Sequence, residues 1–144
     1  MKQLVACAFC LLMAACGSDE SPEEKLRSTI GAMQTAGEEG RRSDFLDFVT
    51  SDFAGRNGMT RDELGDYLKI QLLAHTRVHS VITDVDIELF DQRASAQVTA
   101  VLTGGPRAWF PDTGQVITFD TSWRTNSDGE WKLMTADWDR TFGR

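Results

Sequence analysis

Several side chains in this chain have the type and spacing to do chemistry. Asp137 and Asp139 lie beside Arg140, and two carboxylates with a guanidinium can activate a water molecule for attack on a small substrate. In a regular strand, however, Arg140 points opposite to both aspartates. His75 and His79 are four apart, a spacing that on one helix face can hold a metal, and either can carry a proton near neutral pH. No Glu completes a His-Glu-x-x-His motif and no third ligand is close in sequence, so the pair reads as histidines at a helix end, and neither metal nor cofactor is expected. Tyr67 is the single tyrosine. Asp137, Tyr67 and His79 are therefore the catalytic candidates, with no assignable nucleophile triad behind them.

Cys16 offers a different chemistry. An unbroken apolar run from Leu4 to Ala15 follows Lys2, and Ala14 and Ala15 leave room for a peptidase just before the thiol. About twelve apolar residues make a secretory signal and fall short of the roughly twenty that span a bilayer. The segment is similar to a bacterial lipobox, with Met13 where a branched apolar residue is usual. Leu4 to Cys7 matches the letters more closely, but too few apolar residues precede Cys7 for export. The expectation is cleavage after residue 15, lipid on Cys16, and a short tether over residues 16–20. Two acyl chains suffice for a stable anchor. Gly17 stands where inner-membrane lipoproteins would carry a retaining Asp, and that resemblance implies the periplasmic face of the outer membrane. Cys7 and Cys10 leave with the signal and Cys16 is consumed by lipid, so the folded part has no intramolecular disulfide and must rest on its core.

The remaining residues, 21–144, suffice for one domain. Over the whole chain Lys and Arg number 15 against 22 Asp and Glu, a formal net charge of −7. That balance, without a basic stripe, excludes nucleic acid as a partner. The acidic rows Asp44 with Asp47 and Asp84, Asp86 with Glu88 read as solvated faces, since no calcium-loop pattern accompanies them.

The elements that must position these residues begin at Ser21. Ser21, Pro22 and Glu24 form a capping box, and the spacing of Leu26, Ile30 and Met33 predicts a helix to about Ala36. A shorter helix after Ser43 carries Phe45, Leu46, Phe48 and Val49 into the core, and Gly55, Asn57 and Gly58 break the chain. Thr60 with Glu63 repeats the capping box for a third helix, with Leu64, Tyr67, Leu68 and Leu72 as its stripe, ending near Ala74. The period then becomes two. Val81, Thr83, Val85, Ile87 and Leu89 share one face of a strand; Ala94, Ala96, Val98, Ala100 and Leu102 share a face of the next. A loop from Gly104 to Gly114 follows, and Ile117, Phe119 and Trp123 alternate in a third strand. Asn126-Ser127-Asp128-Gly129 signals a hairpin turn. The last strand, from Glu130 to about Arg140, carries Trp131, Leu133, Met134, Ala136 and Trp138 out of phase, as a bulge would produce.

Helices followed by a meander give an α+β class, with N-terminal helices packed against a curved antiparallel sheet of about four strands. Ser127-Asp128-Gly129-Glu130-Trp131-Lys132-Leu133, then Ala136-Asp137-Trp138, preceded by Thr121-Ser122-Trp123-Arg124, resembles the closing hairpin of the nuclear transport factor 2-like (NTF2-like) superfamily, also called the SnoaL-like or cystatin-like cone. The resemblance covers roughly residues 21 to 140. It implies a pocket inside the cone, in a superfamily that holds isomerases, dehydratases, epoxide hydrolases and non-catalytic binding modules, and it implies that sheets can pair into a homodimer. The steroid isomerase pattern requires a Tyr on an early helix, and the first two helices have none. Trp109 and Phe110, bracketed by Pro106 and Pro111, suit the cone's mouth, so Trp109, Phe110, Tyr67 and Trp138 are the expected ligand-binding residues. The function expected is a lipid-anchored envelope protein whose non-catalytic domain binds a small apolar ligand or another envelope protein. The alternative is an isomerase or hydrolase with a carboxylate in the pocket.

Overall fold

A computed structural model describes residues 19–74, 79–103 and 115–142. The expectations for residues 1–15, Cys16, His75, Trp109 and Phe110 fall outside them. Helices come first: α1 (Pro22–Glu38), α2 (Arg42–Asp47), and, after strand β1 (Val49–Gly55) and a 3-10 turn (Arg56–Gly58), α3 (Arg61–Ala74). Then follow β2 (His79–Phe90), β3 (Arg93–Thr103), β4 (Gln115–Thr125) and β5 (Trp131–Phe142). No described helix is long and apolar enough to cross a membrane.

Both capping boxes form. At α1 the Ser21 hydroxyl accepts from Glu24 N at 3.2 Å and the Glu24 carboxylate accepts from Ser21 N at 2.8 Å. At α3 the Thr60 hydroxyl accepts from Glu63 N and Glu63 accepts from Thr60 N at 2.7 Å. These bonds satisfy early helix N–H groups that have no partner within the helix. They also hold the Glu24 and Glu63 carboxyls below their ordinary pKa, the backbone bond at each box contributing most.

The α+β class holds, and the sheet has five strands in the order β1-β5-β4-β3-β2. The added strand, β1, runs parallel to β5, with Val49 opposite Leu133 and Gly55 opposite Ala136. The sheet is thus mixed, not wholly antiparallel. Phe45, Leu46, Phe48 and Val49 mimic a helical stripe that runs into β1, and the pairing is irregular between Val49 and Ala54, so neither side of β1 shows a clean period of two. Across β5, the Arg124 guanidinium donates to both oxygens of Asp52 on β1 at 3.0 and 2.7 Å. That pair holds the Asp52 carboxyl below its ordinary pKa and ties the added strand to the meander.

Bulges set the phase of two strands. In β5, Leu133 faces Trp123 while Thr135 faces Ser122, leaving Met134 as the extra residue, as the broken apolar phase implied. In β2, Ile82 faces Ala100 and Asp84 faces Thr99, with Thr83 extra. This second bulge shifts the inward side to Ile82, Val85 and Ile87, and Val81, expected in phase with Val85, stays 57% exposed. An alternation spanning a bulge misassigns one end, because each added residue turns the following side chains to the other face.

The core lies between the helices and the concave side of the sheet, where Leu26, Ile30 and Met33 of α1 meet Val98, Trp123, Trp131 and Leu133. The outer edge of β2 is closed by one stripe of α1. Arg27 donates to Val85 O at 2.9 Å, Gln34 donates to Ser80 O at 2.7 Å, and Glu38 accepts from Ser80 N at 2.5 Å. These side chains occupy groups that a neighbouring strand would otherwise use.

Candidate functional site

The tryptophans on described residues have two distinct fates. Trp123 and Trp131 are 2% and 3% exposed, and each indole N–H is satisfied: Trp123 donates to the Thr121 hydroxyl at 2.8 Å and Trp131 to Pro22 O at 3.0 Å. They hold sheet to helices. Trp138 is only half-buried. Strand pairing aligns it with Phe119 on β4 and, beyond that, Val98 on β3, so its ring projects from the inner side of the sheet.

Two other rings join it. The centroids of Tyr67 and Trp138 are 6.4 Å apart with the planes inclined 36°, and those of Phe119 and Trp138 are 6.4 Å apart at 45°. Both separations fall within the range of attractive aromatic pairs. Tyr67 is set by α3, where Leu64 is buried one turn earlier and Leu68 packs on the core. Tyr67 as a whole remains 40% exposed. On the inner side of β4, the hydroxyl of Thr121 donates to Ala96 O at 2.7 Å while receiving the Trp123 N–H. This part of the wall therefore presents apolar surface and spent hydrogen bonds.

Asp137 stands elsewhere. It precedes Trp138 on β5 and so projects from the opposite face, 70% exposed, with Oδ1 at 3.8 Å from Arg56 Nε. Oδ1 also accepts from Trp138 N at 2.9 Å. His79 begins β2, exposed, and lies opposite Thr103; β3 and β4 separate that strand from β5. The fold brings Tyr67 and Trp138 together and leaves Asp137 and His79 each in other surroundings. Among the described residues, no three His, Cys, Asp or Glu side chains converge as a metal site would require.

Arg56 and Phe119 complete the site, and neither was singled out by spacing. Arg56 Nη1 donates to Trp138 O at 2.5 Å, and its guanidinium lies 3.6 Å from Asp139 Oδ1, so it grips β5 on both sides of the tryptophan. The tight turn that delivers it has positive φ at Asn57 and Gly58, which the Asn-Gly pair accommodates. That dipeptide signals a turn without saying which strand the arginine will reach. Phe119 reads as one inward residue among several until the pairing places it beside Trp138.

Two open depressions lie away from the rings of Tyr67, Phe119 and Trp138. One, of about 260 Å³, sits over β3, β4 and β5 and is lined by Ser95, Gln97, Asp120, Ser122 and Thr135 among others; Gln97 donates to Asp120 there at 2.9 Å. The other, of about 470 Å³, adjoins Glu20, Glu24, Arg27 and Ser28 at the start of α1. Neither includes a residue expected to bind or catalyse.

This arrangement of helices and mixed sheet has many solved counterparts. The chain is similar to a protein of Novosphingobium aromaticivorans provisionally assigned as a scytalone dehydratase, with a TM-score of 0.74 and 12% identity over 83% of this chain and 84% of that one. It is similar to a provisionally assigned dehydratase of the NTF2-like family from Streptomyces avermitilis, with a TM-score of 0.72 and 18% identity over 85% of this chain and all of the other. The fold is the NTF2-like cone. An uncharacterised protein with a cystatin-like fold from Caulobacter vibrioides superposes on the NTF2-like domain with a TM-score of 0.71 and 15% identity, over 84% of this chain and 90% of that one. No family model and no curated protein matches the sequence. At these identities the likeness speaks for the fold, and the site must be argued from its own residues.

Proposed function

We propose that this NTF2-like domain binds a small apolar molecule against the wall of Tyr67, Trp138 and Phe119, while lipid on Cys16 holds it in the cell envelope at the periplasmic face of the outer membrane. The observation that carries the binding reading is the half-open Trp138, flanked by two rings, in a domain whose Trp123 and Trp131 are fully committed to the core. Aromatic side chains left partly uncovered on the concave side of a fold supply apolar area with little conformational entropy to lose on binding. The anchor reading rests on the apolar run and small residues before Cys16.

The dehydratase names carried by two structural neighbours suggest a second reading, in which a pocket carboxylate moves a proton. Asp137 and Asp139, the aspartates on either side of Trp138, both lie toward Arg56 and solvent. Binding without catalysis is accordingly the preferred reading.

Fluorescence titration of the full chain carrying Cys16→Ser with the neutral dye N-phenylnaphthylamine tests the first part. Saturable binding with energy transfer from tryptophan supports it, and an absence of saturable binding counts against it. Radiolabelled palmitate and membrane fractionation test the second. Label on the wild type that disappears with Cys16→Ser is expected, while an unlabelled, unattached wild type would refute the anchor.

A further inference from the structure

Leu89 and Phe90 end β2 at a hairpin tip and are 41% and 52% exposed. Phe90 pairs with Arg93 across a two-residue turn in which Asp91 adopts positive φ, so the tip is short and well defined. Its exposure follows from the length of the helix beside it. α1 runs antiparallel to β2, with Gln34 at Ser80 and Arg27 at Val85. Beyond Arg27 the helix continues about 7 Å to Pro22 at its rise per residue, whereas beyond Val85 the strand continues about 16 Å to Phe90. The hairpin therefore overruns the helix. Leu89, on the side of Ile87, lies past the helix end, and Phe90 points out from the other face.

The chain leading back to Cys16 leaves the fold at this same end. The Trp131 indole donates to Pro22 O at 3.0 Å, Trp131 pairs with Thr125, and Thr125 N donates to Gln92 O in the hairpin turn at 3.1 Å. Two strand spacings, about 10 Å, separate the strand beneath the start of α1 from the hairpin, and the residues from Cys16 to Pro22 reach at most about 20 Å. Resting on the Cys16 anchor proposed above, we infer that Leu89 and Phe90 form a second membrane contact, seated in the head-group region of the lipid surface that holds the acyl chains. Exposed Leu and Phe side chains suit the boundary between head groups and acyl chains, and lipid on Cys16 turns a contact too weak to bind alone into an intramolecular one. Glu88 and Asp91 flank the tip against Arg93, so the fitting surface is zwitterionic lipid and anionic head groups add no attraction. The domain then stands on this end. Trp138 lies about 20 Å further along β5 than Trp131, so the aromatic wall faces away from the bilayer.

Cys7, Cys10 and Cys16 are the cysteines of the chain, so the lipidated mature protein has no free thiol and an introduced cysteine can carry the fluorophore NBD alone. The protein is reconstituted in vesicles of phosphatidylcholine and phosphatidylethanolamine with brominated acyl chains. NBD on Gln92→Cys should emit blue-shifted light and be quenched about threefold more than NBD on Asp139→Cys, because quenching requires approach to the acyl chains; the Asp139 side chain is 86% exposed beside Trp138. Adding Leu89→Ser and Phe90→Ser should roughly halve the quenching at position 92 while the protein stays on the vesicles, since the lipid anchor remains. Absent quenching at position 92, equal quenching at both positions, or quenching indifferent to the two serines would overturn the inference. A blue shift without quenching would overturn it as well, by assigning the tip to a protein surface. Wild type that fails to float with the vesicles would instead overturn the anchor reading beneath it. The comparison of positions 92 and 139 keeps both apolar residues and decides the matter should the serine variant not fold.

Discussion

The ring of Tyr67 on α3 lies 6.4 Å from the ring of Trp138 on β5, while Asp137, one residue away in the chain, turns its carboxylate to Arg56 on the far face of the same strand. One dipeptide of β5 thus divides between an apolar wall and a charged exterior. Alternation along a strand is the cause, and Arg56 donates to Trp138 O while lying near the carboxylates of Asp137 and Asp139.

Trp138→Ala should remove the centre of that wall. Dye binding falls at least tenfold in a titration, because both neighbouring rings lose their partner. Stability in a urea melt falls by about 1–2 kcal/mol, less than for a fully buried tryptophan.

Asp137→Asn should leave dye affinity unchanged and shift stability by less than about 0.5 kcal/mol, since the ion pair it breaks is long and exposed. Parallel titration and urea melts check both. A large loss of binding would bring the carboxylate back into the site.

Leu26→Ala should be the most damaging of these changes. Leu26 is 0% exposed, in the middle of the helix–sheet core, and truncations of that kind cost about 2–5 kcal/mol. Circular dichroism and tryptophan fluorescence should report one coincident, earlier urea transition.

Acid should loosen the clasp between α1 and β2. Partial burial pushes the Glu38 carboxyl up, but hydrogen bonds from the Ser80 hydroxyl and N–H, with smaller help from Gln34 and the charge of His79, bring it below its ordinary value of 4.5. A carboxylate with a lowered folded pKa stabilises the fold above its unfolded pKa, and that contribution is lost as pH falls through the folded value. Urea midpoints taken downward from pH 5 should therefore decline, and Glu38→Gln should flatten part of the decline without removing the shares of Glu24, Asp52 and Glu63.

The capping boxes at Ser21 and Thr60, the hairpin turn and the bulge at Met134 were legible because each depends on neighbours in sequence. In that turn the Asn126 side chain accepts from Asp128 N and Glu130 N, and Gly129 adopts positive φ, all from adjacent residues. β1 was illegible because its partner, β5, lies some eighty residues onward and its own apolar pattern continues that of α2. Tyr67 and Trp138 could each be picked as aromatic ligands for the cone, but their meeting, and the exclusion of Asp137 from it, depends on how α3 rests on β5. The clasp formed by Arg27, Gln34 and Glu38 shows the same limit: polar residues at helical spacing look like a solvated face until an unpaired strand edge lies beside them.

An apolar molecule on the inner wall would lie against the rings of Tyr67, Phe119 and Trp138. Heteronuclear NMR of the full chain carrying Cys16→Ser, titrated with N-phenylnaphthylamine, reads this contact most directly. Shifts should centre on the indole N–H of Trp138 and the ring signals of Tyr67 and Phe119, with Gln97 and Asp120 on the outer face unmoved. Shifts confined to Gln97, Asp120 and their neighbours, or no shifts at saturating dye, would contradict it.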